Sequence, residues 1–78
     1  MNTTLTPQQI QIMKDDLAVE LTEILMKEKH LTKEDSLDVI YTSETFDRLQ
    51  DSETGFFYQS PGYVYSFLQN ELLRAKVS

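Results

Sequence analysis

Apolar residues recur at helical spacing from Ile10 onward. Ile10, Met13, Leu17, Leu21 and Ile24 lie three or four positions apart, which sets them on one face of an α-helix. The residues just before them form a helix start. Thr6 can accept from the first free amides, Pro7 suits the first helical position, and Gln9 can complete a capping box. Leu5 and Ile10 stand where a hydrophobic staple would form. A first helix is predicted over residues 7–29, ending in Lys27, Lys29 and His30, cations that favour the negative end of the helix dipole. Residues 1–5 are expected to be a flexible N-terminal tail.

The pattern restarts at Thr32, a second cap, with Glu34 and Asp35 in the first turn that follows. That predicts a helix over 33–42 burying Leu37, Ile40 and Tyr41. Ser43 caps a third helix over 44–50, anchored by Phe46 and Leu49. Asp51-Ser52-Glu53-Thr54-Gly55 has turn chemistry, with Gly55 free to take positive φ. Ser60-Pro61 repeats the device of Thr6-Pro7 and opens a last helix over 61–76, with Val64, Tyr65, Leu68, Leu72 and Ala75 on one side. Phe56-Phe57-Tyr58-Gln59 has aromatic β-propensity but no partner strand, so an irregular or one-turn segment is expected there. Phe56 or Phe57, Tyr58 and Tyr65 are the expected core aromatics of this stretch. The fold class is therefore all-α: one compact four-helix domain spanning 1–78, long-short-short-long.

The first helix carries a second, narrower stripe. Ile12, Val19 and Met26 fall seven apart on the side opposite the main one, with Asp15, Asp16, Thr22 and Glu23 between them. A coiled-coil seam needs two apolar positions per heptad, so this is not one. Either the first helix is central and touched on two sides, or the stripe is a homodimer contact.

Composition narrows the classes. A chain of 78 residues with no Cys must stabilise itself through apolar packing, and 40% hydrophobic content is adequate for that. The N-terminus, MNTTLTPQQ, has neither a basic nor an apolar leader region, and no apolar run is long enough to span a bilayer. A cytoplasmic protein without a membrane partner is expected. The net charge of −6 disfavours nucleic acid, since only Lys27 and Lys29, with His30 and Lys33 nearby, approach a cationic cluster. An acidic surface fits a solvated globule or one that docks another protein.

Chemistry is sparse. Nucleophilic catalysis wants an activated Ser, Thr or Cys beside a base, yet the single histidine, His30, stands at a helix end. Asp16, Glu20 and Glu23 share a face of the first helix, but Lys27 can pair with Glu23 and no facing carboxylate set is identified. The DSETG stretch places its glycine one position early for a calcium loop and lacks the closing bidentate Glu. Two glycines seven apart do not make a phosphate loop. No catalytic residue, cofactor or metal is expected, and the chain reads as a non-enzyme.

Binding is the better category. Tyr63, Phe67, Asn70 and Arg74 adjoin the apolar stripe of the last helix, and Tyr, Phe and Arg are residue types that anchor interfaces. The alternative is that the third helix or the 56–59 segment covers that face.

Ser43-Glu44-Thr45-Phe46, Glu53-Thr54-Gly55-Phe56, Ser60-Pro61-Gly62-Tyr63-Val64-Tyr65 and Glu71-Leu72 together resemble a family of small uncharacterised bacterial proteins. The likeness runs from about Met13 to Leu72. It implies an association with toxin–antitoxin-like modules, but no activity and no site residue.

Three functions remain. The first is a protein–protein interaction module, adaptor or antitoxin-like, docking an unidentified protein through Tyr63, Phe67, Asn70 and Arg74. The second is a homodimer joined through Ile12, Val19 and Met26. The third, a small-ligand protein or enzyme, needs a concave pocket with convergent polar groups.

Overall fold

A computed structural model describes residues 5–77, with side chains through Ala75, so four of the five residues of the expected tail lie outside it. Four α-helices and no strand are present among the described residues: α1 (Pro7–Lys29), α2 (Lys33–Tyr41), α3 (Glu44–Gln50) and α4 (Pro61–Val77). The order long-short-short-long is the expected one. Two single 3₁₀ turns, Ser52–Thr54 and Phe56–Tyr58, join α3 to α4.

Each predicted cap is made. The Thr6 hydroxyl accepts from the Gln9 amide at 3.1 Å while the Gln9 side chain accepts from the Thr6 amide at 2.9 Å, closing the box. Thr32 caps α2 by accepting from the Asp35 amide, and Ser43 caps α3 by accepting from the Phe46 amide. Ser60 does the same for α4 through the Tyr63 amide. At the other end of α1, His30 takes the left-handed conformation (φ 55°) that stops the helix, and Gly55 (φ 74°) turns the chain between the 3₁₀ turns.

The core gathers Leu17, Leu21 and Leu25 of α1 with Ile40, Leu49, Phe56, Phe57, Val64, Tyr65 and Leu68. α1 is the central element and packs against every other helix. Its buried face is centred on Leu25 rather than Ile24, which is only half-buried, and it includes Lys14 and Thr22. The buried Thr22 hydroxyl donates to the Ala18 carbonyl, so its burial leaves no free donor. Three expected core positions are overturned. Tyr41 is exposed because its neighbour Ile40 takes the inward place on the nine-residue α2, and its ring instead meets Phe46 edge-on at 5.0 Å. Tyr58 is exposed because the 3₁₀ turn directs both Phe56 and Phe57 inward, leaving Tyr58 edge-on against Phe57 at 5.2 Å. Ala75 is exposed near the end of α4, beyond the last core residue, Leu68. The ends of α2 and α4 fall one residue from expectation, at Tyr41 and Val77. α2 stops because Ser43 turns extended (φ −85°, ψ 153°) to cap α3, and its amide bonds back only three residues, to the Ile40 carbonyl. No helix among the described residues is long and apolar enough to cross a membrane.

Candidate interaction surface beside the last helix

Three of the four residues singled out on the last helix line one groove. It lies between α3 and α4 and has a volume of about 500 Å³. From α4 come Phe67, Asn70, Glu71, Leu73 and Arg74; from α3 come Glu44, Thr45 and Arg48. Helical spacing explains the α4 set: positions 67, 70, 71 and 74 fall on one side at steps of three and four.

Tyr63 is not on the groove wall. It sits one turn earlier, half in solvent, and its ring meets Phe67 at 5.2 Å and Phe56 at 6.4 Å. Phe67 is half-buried and lies against Phe56 at 5.0 Å. The aromatic row therefore runs from core (Phe56) to groove (Phe67) to surface (Tyr63). The 56–58 turn does reach this face, as one of the two sequence alternatives had it, but it covers only the inner side. Phe67, Asn70, Glu71, Leu73 and Arg74 stay on the groove.

The groove's most ordered feature is Glu71. Its carboxylate accepts from the Glu44 amide at 2.8 Å, from the Thr45 amide at 2.9 Å and from the Thr45 hydroxyl at 2.8 Å. Helix starts leave amides without intrahelical partners, and here Ser43 takes one while Glu71 takes two. Burial pushes the Glu71 carboxyl up. The two amides, the Thr45 hydroxyl and the Arg74 guanidinium outweigh that and hold it below the usual carboxylate range. A Thr hydroxyl beside a carboxylate has the outline of a nucleophile and its base. The acceptor capacity of Glu71 is instead shared among three donors, and a lowered pKa makes it a poor base. The groove is thus equipped to hold something, with an aromatic and a leucine for apolar contact, Asn70 for hydrogen bonding, and two guanidiniums, Arg48 and Arg74, that suit carboxylates.

The other predicted contact lies elsewhere. Ile12 and Val19 on the outer side of α1 are exposed at 55% and 58%, and Met26 is half-buried. Only the Met26 end of that stripe is substantially covered within the chain.

Sequence reasoning missed Glu44, Thr45, Arg48, Glu71 and Leu73. The Glu71-Leu72 pair was visible, but nothing local says that this carboxylate would meet a helix start 26 residues earlier. Set beside known proteins, the chain matches no family model, no curated protein and no solved structure at a significant level.

Proposed function

We propose that the protein is a non-enzymatic protein–protein interaction module, adaptor or antitoxin-like, that docks a partner through α4. The observation that carries this reading is the convergence of Phe67, Asn70 and Arg74 on one groove, opposite Arg48 of α3. Interfaces are anchored by aromatic and arginine side chains set in a recess and surrounded by polar groups. The partner segment that suits the groove offers an apolar side chain to Phe67 and Leu73 and a carboxylate to the guanidiniums.

The test compares tagged wild-type protein with Arg48→Glu and Arg74→Glu variants in a native-host co-purification. A partner held by wild type and lost by both variants, with helical content unchanged, supports the reading. The same partners recovered with all three proteins, or none with wild type, reject it.

The exposure of Ile12 and Val19 favours a second reading, self-association through α1. Val19→Glu then lowers the mass in solution toward that of the monomer, and an unchanged mass rejects it.

A further inference from the structure

A second groove lies at the far side of α4, between α2 and the C-terminal halves of α1 and α4, with a volume of about 570 Å³. Leu25 is its floor and is fully buried; Leu31, Val39 and Leu72 are half-buried walls, and Leu73, 59% exposed, is its outer edge. Among the described residues, the one charged side chain on its walls is that of Lys29. The groove is thus apolar with a single positive charge, on a chain whose net charge is −6.

The same molecule carries a face of complementary chemistry. The outer face of α1 presents Ile12 and Val19, more than half exposed, with Asp15, Asp16, Glu20 and Glu23 around them. It is an acidic amphipathic helix face with its apolar residues two turns apart, roughly 10 Å by helix rise. Of the nearby cations, Lys14 is turned inward and donates to the Gln50 carbonyl, while exposed Lys27 lies one turn beyond Glu23 at the far end of the face. Helix-in-groove recognition pairs such a face with an apolar slot, and charge complementarity sets which face is accepted.

We infer that the groove bounded by Leu73 and Lys29 receives the Ile12/Val19 face of α1 from a second copy of this chain. The inference rests on the self-association reading of α1, and its groove shares the Leu73 edge with the α3/α4 groove. It departs from face-to-face pairing of two α1 helices for an electrostatic reason. A twofold, antiparallel pairing centred on Val19 brings Asp15 of one chain opposite Glu23 of the other, since both lie four residues from the centre. Two such like-charge contacts oppose that dimer. Placing the acidic face in the groove meets Lys29 instead. The contact is heterologous, each copy offering a ridge at one site and a groove at another, so assemblies grow with concentration or close into a ring.

The test is sedimentation equilibrium or light scattering over micromolar to millimolar concentrations. The variants are Leu73→Glu, which blocks the groove, and Val19→Glu, which spoils the ridge; both positions are exposed, and circular dichroism checks the fold. Wild type is expected to rise in mass above 9.1 kDa as concentration increases. Each variant alone is expected to stay monomeric. An equimolar mixture is expected to stop at twice the monomer mass, because one variant keeps the ridge and the other the groove. A Leu73→Glu protein that still dimerises overturns the inference and leaves face-to-face α1 pairing standing. A mixture that stays monomeric beside an associating wild type also overturns it. A wild type that stays monomeric throughout overturns both this inference and the self-association reading.

Discussion

Lys14 and Glu71 hold opposite ends of the same seven-residue helix. The Glu71 carboxylate, reaching from α4, accepts from the first two amides of α3, and the Lys14 ammonium, reaching from α1, donates to the carbonyl of Gln50, its last residue. Isolated helices shorter than about 12–15 residues do not persist in water. Besides the buried Leu49, two long helices supply the missing partners of α3, an anion at the positive end of its dipole and a cation at the negative end. The α3/α4 groove has a fixed wall for the same reason.

Replacing Glu71 with Gln leaves an acceptor but removes the charge that serves three donors. The expected loss is about 1–2 kcal/mol, the range for helix caps and charged hydrogen bonds. Glu71→Ala costs more, since both amides lose their partner. Urea unfolding measures both, and a Glu71→Gln midpoint equal to wild type refutes the capping account.

The same carboxylate gives stability a defined pH dependence. Burial raises its pKa, but the α3 donors and Arg74 lower it by more, so in the folded chain it lies below the reference value of 4.5. The unfolded chain then binds this proton at higher pH than the folded one. The stabilisation is complete above the unfolded pKa and is lost as pH falls through the folded one. Urea midpoints taken from about pH 7 to about pH 3 should therefore show the gap between wild type and Glu71→Gln closing on acidification. A gap that is constant or widens is incompatible with a depressed pKa.

Most of the fold was legible from local signals. Thr6, Thr32, Ser43 and Ser60 each cap where an apolar period begins, and a cap requires only its own backbone neighbours. Tyr41 and Tyr58 were misplaced because a short helix or a single 3₁₀ turn has too few residues for periodicity to fix which side faces in. The candidate site was half legible for a related reason. Phe67, Asn70 and Arg74 share a helix face and can be read from spacing alone. Their partners Glu44, Thr45 and Arg48 come from another element, and spacing within α4 says nothing about which helix will lie beside it.

Two buried hydroxyls, those of Ser36 and Tyr65, have no hydrogen-bond partner among the described residues. A buried, unpaired polar group costs about 1–3 kcal/mol. Ser36→Ala and Tyr65→Phe remove the group while leaving most of the packing, so each is expected to stabilise the protein by about 1 kcal/mol. Thermal or urea unfolding reads this directly. A loss of stability in either variant would show that the hydroxyl has a partner, such as a bound water.

The two left-handed positions predict substitutions of opposite sign. His30 holds φ 55° at the end of α1 with a side chain that disfavours it, so His30→Gly should gain about 0.5–1 kcal/mol despite the entropy glycine adds to the unfolded chain. Gly55 holds φ 74°, and a Cβ there would come within 2.7 Å of the Tyr58 hydroxyl. Gly55→Ala should therefore lose about 1–2 kcal/mol, from backbone strain and a displaced ring. Tyr58 is exposed and can swing aside, so Gly55→Ala/Tyr58→Ala should recover only the steric share. Full recovery in that double variant would mean that backbone conformation contributes nothing.

If α3 is ordered from both ends, removing either end should weaken the other. Lys14→Met keeps the buried aliphatic stem, loses the bond to Gln50 and should cost about 1 kcal/mol, less than a simple truncation. In the double variant Lys14→Met/Glu71→Gln the two losses should not add. Once the helix frays from one end, the interaction at the other has less ordered structure to stabilise, so the combined loss should fall short of the sum by about 0.5 kcal/mol or more. The two side chains act on opposite ends of α3, so such coupling is transmitted by the helix between them. Urea unfolding of the four proteins at one pH completes the cycle. Strict additivity would mean that α3 is held in place by the packing of Leu49 and Phe46 alone, with the two charged ends as independent contributions.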